Sequence, residues 1–345
     1  MVRFVVAPGR VTIRDVAERA GVSIATVSKV INERYGVAAA TSEKVQAVIR
    51  ELGYESSLVA RSLRNHRTNV IGILVSDIEP FSAELLKGAA RAIKTTGYEL
   101  VVYSSGGRGT EHVGWESRAL SRLSGTLIDG AVLVTPTVVA GSFGAPVVAV
   151  DPHTGREDVP TVDSDNRNGA RLATEHLLSL GHRRIGFVGG RQDLESARLR
   201  ELGFRDAMAG AGLPVDPDLV RDGEYDEEVS AKVTHELLDL DHPPTAIFAA
   251  NDNSAIAIME VAASRDVRVP DQLSVVGFDN TPESALAQPA LTTINQPIQE
   301  MGQQAVALLV QLLAGEQPDA MHISLETRLV VRQSSAPPDE GGEPT

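Results

Sequence analysis

The stretch from Val11 to Asn32 carries side chains of the kinds that read DNA. Lys29 can donate hydrogen bonds to O6 and N7 of guanine, and Ile24 and Ala25 can make apolar contacts, for example with a thymine methyl. Short hydrogen-bonding side chains suit phosphate oxygens, which set register rather than sequence; they are Thr12, Ser23, Thr26, Ser28 and Asn32. A helical hairpin that binds another protein, with Lys29 merely solvated, is the alternative interpretation.

A second set of polar residues follows the ends of short apolar runs farther along the chain. These residues are Ser76-Asp77, Asp151, Asn251-Asp252 and Asp279-Asn280. Because ligands of parallel α/β sheets bind beyond the carboxyl ends of the strands, they predict a binding cleft. The stretch from Gly106 to Gly109 does not open a helix as a phosphate loop does, and the eight histidines have no metal-ligand spacing. We therefore expect neither an enzyme, nor a metal site, nor a cofactor.

Three short helices are predicted to position the DNA-reading side chains. Thr12 with Asp15 resembles a capping box at the start of the first helix, and Gly21 ends that helix. Ser23 can cap the second helix, whose early side chains can enter a major groove. Thr41 can cap the third helix, which completes a small core.

The segment from Leu58 to Arg64 links this head to the rest of the chain and is too short to be a stable helix alone. Leu63, flanked by Arg61 and Arg64, makes sense as a wedge between minor-groove base steps. Unstacking a step costs on the order of a few kcal/mol and kinks the DNA. The alternative is an ordinary linker whose leucine packs on the body.

From Val70 onward, short apolar runs alternate with amphipathic helical stretches, which is the pattern of parallel strands covered on both faces. The predicted strands are Val70–Val75, Leu100–Tyr103, Ala131–Val134, Val147–Val150, Ile185–Val188, Ala246–Ala249 and Leu273–Phe278. The pattern repeats after 114 to 115 residues, because Ile71 and Gly88 recur as Ile185 and Gly203. Two similar α/β lobes imply a cleft between them.

Charge divides the chain in the same way. The 345 residues have a formal net charge of −14, but residues 1–68 hold 11 basic and 6 acidic residues, and the remainder holds 21 and 40. A basic head can meet a polyanion that an acidic body repels. The absence of cysteine excludes disulfides and a thiol nucleophile. With no run of about 18 apolar residues and no secretory signal in the first ten residues, we expect a cytoplasmic protein with no membrane partner.

Residues 11–335 closely resemble the lactose-repressor (LacI/GalR) family of bacterial transcription factors. The motifs that carry the resemblance are Thr-Ile-Arg-Asp-Val-Ala (12–17), Gly-Val-Ser-x-x-Thr-Val-Ser (21–28), Ala-Arg-Ser-Leu (60–63), Gly-His-Arg-Arg-Ile-Gly-Phe-Val-Gly-Gly (181–190), Val-Val-Gly-Phe-Asp-Asn (275–280) and Leu-Thr-Thr-Ile-Asn-Gln-Pro (291–297). The resemblance implies a helix–turn–helix head on a two-lobed body of doubly wound parallel sheets, like a type I periplasmic sugar-binding protein.

The resemblance also implies a homodimer that binds a pseudo-palindromic operator. Each recognition helix would read a half-site, while Leu63 opens the minor groove at the centre and Ala60 packs at the contact between the hinge helices. The family usually has Tyr-x-Pro-Asn before the hinge helix, whereas this chain has Tyr54-Glu-Ser-Ser57. This departure predicts a more flexible connection. The end of the chain has no leucine-heptad helix of the kind that makes tetramers, so we expect a dimer.

By the same resemblance, six residues line an effector cleft. They are Phe81, Asp151, Arg198, Tyr225, Asn251 and Asp279. A carboxylate and a guanidinium fork can take the vicinal hydroxyls of a sugar. Other interpretations remain open: Arg198 can pair with Asp193 or Glu195 on the surface, Asp279 can cap the turn before Pro282, and Phe81 can belong to the core.

A small carbohydrate is the favoured effector, because a nucleobase reader needs aromatic side chains on both faces and the chain has only 13 aromatic residues. A purine-type co-repressor is the alternative within regulators, and a sugar-binding protein without DNA reading is an alternative of another class. The expected organisation is a head at 11–56, a hinge at 57–68, an N-lobe at 69–164 plus 294–322, a C-lobe at 165–293 plus 323–335 and a disordered tail at 336–345.

Overall fold

A computed structural model describes residues 11–31, 35–54, 67–106, 114–137, 144–153 and 159–338. The chain divides into two compact units, residues 1–68 and 69–345. The predicted Asn32, Ala60, Leu63 and Arg64 contacts lie outside the described residues, as does the departure at Ser57.

The first unit is a three-helix head. Its helices are α1 (Ile13–Ala20), α2 (Ile24–Ile31) and α3 (Ala39–Leu52). The Asp15 carboxylate accepts hydrogen bonds from the backbone N–H and the hydroxyl of Thr12, both at 2.7 Å. The Ser23 hydroxyl accepts from the backbone N–H of Thr26 at 3.1 Å, so Ser23 caps α2 as predicted. The predicted cap at Thr41 is wrong, because α3 begins two residues earlier, at Ala39.

The N-lobe of the second unit holds a sheet covered by helices. Its elements before the first crossover are β1 (Val70–Val75), α4 (Pro80–Ala92), β2 (Glu99–Ser104), α5 (Trp115–Leu123), β3 (Gly130–Val134), β4 (Val147–Val150) and β5 (Thr161–Ser164). The C-lobe follows with α6 (Asn166–Ser179), β6 (Ile185–Gly189), α7 (Glu195–Gly210), β7 (Val220–Asp222), α8 (Glu227–Leu238), β8 (Ala246–Ala249), α9 (Asp252–Ser264), β9 (Ser274–Asp279), α10 (Pro282–Leu286) and β10 (Thr292–Asn295). The strand runs predicted from the sequence match β1 to β4, β6, β8 and β9 to within about one residue.

The chain then crosses back and forth between the lobes. The last elements are α11 (Ile298–Ala314), β11 (His322–Leu325) and β12 (Arg328–Val330). The strand orders are β11-β5-β4-β3-β1-β2 and β12-β10-β9-β8-β6-β7, and only the pair β10–β12 is antiparallel. The predicted lobe boundaries at 293/294 and 322/323 therefore fall inside β10 and β11. The chain crosses after Asn295 and after Leu325, where the strands end.

The internal repeat corresponds to two equivalent helix pairs. A Cβ at Gly88 of α4 would lie 1.8 Å from the carbonyl oxygen of Gln299 in α11, and a Cβ at Gly203 of α7 would lie 2.1 Å from that of Arg167 in α6. Neither position has room for a side chain. The repeated glycines allow the backbones of the two helices in each lobe to touch.

Ala336, the first residue of the tail predicted to be disordered, has hydrogen-bond partners in the C-lobe. The backbone N–H of Ala336 donates to the Ser274 hydroxyl at 3.0 Å, and its carbonyl bonds to His182 Nε2 at 2.9 Å. Ala336 is thereby held against the C-lobe, because β9 offers it hydrogen-bond partners, and residues 339–345 lie outside the described chain. Of the helices that the structure describes, none combines the length and apolar character needed to cross a membrane.

Candidate functional site

Helix α2 has one face in the core of the head and one face in solvent. Val27 and Val30 are buried, whereas Ser23, Ile24, Ala25 and Lys29 are exposed. Ile24 keeps 43% of its surface accessible, so its side chain is available for an apolar contact. The side chains predicted to reach base edges therefore share the solvent-facing side of this helix.

The short polar side chains predicted to contact phosphate are in three local settings. The Thr12 hydroxyl donates to Asp15. The hydroxyls of Ser23 and Thr26 lie 2.9 Å apart and bond to each other. Ser28 is half-buried on the same helix. These bonds lock the start of α2 and leave the exposed Lys29 as its flexible donor.

Within the second unit, a cavity of about 280 Å³ lies between the lobes at the carboxyl ends of the strands. Its lining comprises Ser76, Asp77, Glu79, Phe81, Thr135, Asp151, His153, Arg191, Leu194, Ser196, Arg200, Glu224, Tyr225, Asp226, Asn251 and Asp279. Five of the six predicted effector residues are in this set. The sixth, Arg198, is not.

The arginine that lines the cavity is Arg200, one of the C-lobe residues. Its Nε donates to Oδ1 of Asn166 at 2.8 Å, and its Nη2 donates to Oε1 of Gln296 at 2.9 Å. Its Nη1 donates to the carbonyl of Ala250 and lies 3.5 Å from Oδ1 of Asp279. Four acceptors from separate segments hold the guanidinium, so it is fixed in place without a ligand.

Arg198 points elsewhere because it sits two residues, about 200°, around the helix from Arg200. Its side chain is 46% exposed and pairs with Glu195, which is the surface pairing that the sequence left open. The side chain of Arg200, in contrast, is 4% exposed. Arg200, and not the predicted Arg198, is therefore the arginine of α7 that lines the cavity. One stripe of α7 is buried and contains Gly203, Phe204 and Ala207. Arg200 lies on this stripe at helical spacing, and this spacing is the signal in the sequence that Arg200 faces inward.

Two buried carboxylates face each other across the cavity. Burial raises the pKa of Asp151 to about 6, although the charge of Arg200 opposes the shift. Burial also raises the pKa of Asp279, against the lowering effect of Arg200 and with a further rise from the charge of Asp252. Burial is the largest cause of both shifts, so each carboxyl group favours its neutral form more than an exposed carboxyl group does.

The other predicted residues line the cavity in different ways. Asn251 caps α9, with its Oδ1 accepting from the backbone N–H of Ser254 at 3.0 Å. The ring of Tyr225 lies over Gly190, where a Cβ would come within 2.1 Å of it. Phe81 is half-buried; it lines the cavity and also packs on the N-lobe core. His153, Arg191 and Glu224 were not predicted; no motif marked them.

Backbone strain concentrates around the cavity. Thr135, Asp151, Glu224, Tyr225 and Asp279 have positive φ angles of 45°, 46°, 56°, 58° and 111°. Such conformations cost on the order of 1–3 kcal/mol each in residues other than glycine, and they cluster at ligand sites. The strain aims side chains inward from the ends of four strands.

Comparisons with known proteins agree with this architecture. Residues 12–57 match the model of the bacterial regulatory proteins of the lacI family, and residues 174–335 match that of the periplasmic binding protein-like domain. The chain is 35% identical over 340 residues to the HTH-type transcriptional regulator CelR of Thermobifida fusca (94% of this chain, 98% of CelR). It is 35% identical over 336 residues to the ribose operon repressor of Halalkalibacterium halodurans (96% and 98%). It is also 35% identical over 334 residues to the repressor PurR of Pectobacterium carotovorum (94% and 97%).

Two solved structures share the fold over nearly the full chain. The lac repressor dimer bound to operator and the anti-inducer ONPF superposes with a TM-score of 0.81 at 30% identity, covering 95% of this chain and 99% of that one. A complex of CelR with cellobiose has a TM-score of 0.71 at 34% identity, covering 94% and 100%. The relatives are transcription regulators, which supports the expectation that the protein is not an enzyme.

Proposed function

This protein belongs to the lacI family of bacterial regulatory proteins, and on that premise we propose that it represses transcription by binding an operator under the control of a small carbohydrate. The observation that carries the proposal is that one chain pairs a helix exposing base-reading side chains with an interlobe cavity rich in hydrogen-bonding groups. A regulator that reads chromosomal operators acts in the cytoplasm.

In the head, Ile24, Ala25 and Lys29 read bases in the major groove, and the capped start of α2 fixes their register. Ser23, Thr26, Ser28, Thr12 and Asn32 serve the phosphate backbone. Ala60, Leu63 and Arg64 act at the centre of the operator, where Leu63 opens the minor groove. The lac repressor, a relative, is a dimer on its operator, and we propose a homodimer here.

In the body, Asp151, Asp279 and Arg200 bind vicinal hydroxyls, because carboxylates accept and the guanidinium donates. Asn251, Tyr225 and Phe81 complete the contact. The relative CelR has been captured with cellobiose, which supports a sugar in the corresponding cleft. Among the described residues that line the cavity, only Phe81 and Tyr225 have a six-membered aromatic ring, which favours a carbohydrate over a purine that needs stacking on both faces.

Ligand binding favours the closed arrangement of the lobes and thereby changes operator affinity. The change equals the difference in the ligand's affinity for the two states, typically about 1–3 kcal/mol.

Selection of operators from a random duplex library with the purified full chain tests this function. The expected winner is a pseudo-palindrome whose affinity, measured by fluorescence anisotropy, changes when a sugar is added. The matched control is Val27→Asp, which places a charge in the core of the head and removes the recognition helix without altering the body. Failure of the wild-type protein to enrich any duplex above the level of this control contradicts the proposal.

A further inference from the structure

The cavity between the lobes has far more negative than positive side chains. Its carboxylic residues are Asp77, Glu79, Asp151, Glu224, Asp226 and Asp279, and its arginines are Arg191 and Arg200. We infer that the cavity selects a hydroxyl-rich ligand that is neutral or bears an amine, and that it rejects ligands carrying phosphate or carboxylate. This inference rests on the proposed function, because it specifies the ligand class of the same site.

Both arginines already have anionic or carbonyl partners. Arg191 holds Asp193 in a two-pronged ion pair, with distances of 3.1 Å from Nε and 2.7 Å from Nη2. Arg200 bonds to two side-chain amides and the Ala250 carbonyl, and lies beside Asp279. An anionic ligand that displaced the partners of Arg200 would leave the buried Asn166, Gln296 and Ala250 carbonyl oxygens unpaired, at a cost.

Helix N-termini are another kind of anion-binding site, because their free N–H groups and dipoles favour negative charge. At two of the helices that begin at the cavity, the protein's own side chains occupy those ends, whereas α4 and α7 begin without a side-chain cap. Asp226 accepts from the backbone N–H groups of Glu228 and Val229 at the start of α8, and Asn251 accepts from that of Ser254 at the start of α9. Helix α4 begins with Pro80, which has no N–H to offer.

The contacts of the two buried carboxylates with donors in the protein are long, which favours a ligand that supplies shorter hydrogen bonds. Asp279 has the 3.5 Å contact with Arg200, and Asp151 has a 3.4 Å contact from Nε2 of Gln296. Among the described residues, the buried Tyr225 hydroxyl forms no hydrogen bond of normal geometry, although it lies close to Ser196. Hydroxyl or ammonium hydrogens can donate to both carboxylates, whereas a phosphate or carboxylate oxygen is repelled by them in their ionised form.

The test compares matched ligands on the full chain by isothermal titration calorimetry. The probes are glucose, glucosamine, glucose 6-phosphate and glucuronate; ribose and ribose 5-phosphate; and cellobiose and cellobionate. We expect at least one neutral probe to bind, its anionic counterpart to bind at least about tenfold more weakly, and an amine in place of a hydroxyl to be tolerated. An anion that binds as tightly as its neutral counterpart overturns the inference, as does the absence of binding by every neutral probe.

Two double variants that lose the same charge test whether the cavity carboxylates cause the preference for neutral over anionic ligands. Asp77→Asn with Glu224→Gln removes two exposed carboxylates from the cavity mouth, and it should narrow the neutral-to-anion affinity ratio several-fold. Asp319→Asn with Glu316→Gln removes the same two charges from exposed positions that do not line the cavity, and it should leave the ratio unchanged. Equal ratios in the two double variants overturn the role of the cavity charges. The two possible failures can be told apart by operator selection with the same protein. If an operator is selected but anions bind as tightly as neutral probes, the inference is wrong; if no operator is selected, the proposed function itself is wrong.

Discussion

The imidazole Nδ1 of His153, in the N-lobe, lies 3.1 Å from a carboxylate oxygen of Asp193, in the C-lobe. The backbone carbonyl of the same His153 accepts a hydrogen bond from Nη2 of Arg198, at 3.4 Å. His153 follows Asp151 by two residues and lines the cavity. These contacts join the lobes directly beside the cavity, and one of them involves Arg198.

Asp193→Asn should weaken this lobe contact, because it removes the charge that pairs with Arg191 and faces His153. If the ligand binds the closed arrangement, a smaller closed population lowers the apparent affinity in proportion. We expect a two- to tenfold loss of sugar affinity by calorimetry and a larger radius of gyration of the free protein in small-angle scattering. Asp271→Asn, an exposed aspartate with an i,i+3 arginine partner, is the control. Unchanged affinity and radius would show that the contact does not hold the lobes together.

Arg200→Lys should abolish the ligand response and lower the melting temperature. A single ammonium cannot span Asn166, Ala250 and Gln296, so buried acceptors lose their donors, at about 1–3 kcal/mol each. Arg198→Lys, two residues away on the exposed side, is the matched control and should change the melting temperature by little. The assignment of Arg200 to the cavity fails if the two variants respond to sugar equally well.

Lys29→Ala should cost about 1–3 kcal/mol of operator affinity and relax base choice at one position of each half-site. Anisotropy titrations with operators substituted at each position measure this change. Lys44→Ala, an exposed lysine on α3, serves as a control that removes an equal charge from the head. If Lys29→Ala weakens all sequences equally, Lys29 binds phosphate and does not read a base.

The free energy of unfolding of Asp252→Asn, relative to that of the wild-type protein, should increase as pH rises. Burial raises the pKa of Asp252 to about 7, although hydrogen bonds from Thr293 and the backbone N–H of Thr281 oppose the shift. The folded pKa thus lies above the unfolded value near 4. The contribution of the Asp252 carboxyl group to the stability of the wild-type protein is therefore fully present below about pH 4 and is lost as pH rises through about 7. Asparagine stays neutral and avoids this loss.

Urea unfolding at pH 5 and pH 8 checks the sign. The free energy of unfolding of Asp252→Asn relative to wild type should be higher at pH 8 than at pH 5. Asp241→Asn, at an exposed aspartate, should show no such difference. A constant offset at both pH values would mean that the Asp252 carboxyl does not titrate in this range.

Gly203→Ala should destabilise the body, because its Cβ would lie 2.1 Å from the Arg167 carbonyl oxygen and force α6 and α7 apart. Overpacking of this kind costs roughly 1–3 kcal/mol. Gly210→Ala, at the end of the same helix with open space around it, should be neutral or slightly stabilising. Thermal unfolding of the two variants gives the comparison, and equal melting temperatures would contradict the close packing.

Much of the fold can be predicted from sequence because its signals are local. The capping box of Thr12 and Asp15 and the cap at Ser23 depend on residues three apart. The strands are continuous apolar runs between helices, and the Gly88 and Gly203 repeat marks the equivalent helix pairs. Asp151, Asn251 and Asp279 could be placed at the cavity because each lies at the end of a buried strand or within two residues of it. The family motifs then indicate DNA binding and an effector cleft.

The tertiary structure decided what depends on the phase of a helix or on contacts between distant segments. Arg198 and Arg200 are both arginines and lie two residues apart on α7. The packing of α7 against α6 turns Arg200 inward and leaves Arg198 exposed. The contacts of His153 with Asp193, and of Ala336 with Ser274, join residues 40 and 62 positions apart, so no local pattern marks them. The sequence alone determined which chemistry the chain carries; packing determined which of its charges face the ligand, because burial and partners are properties of the assembled lobes.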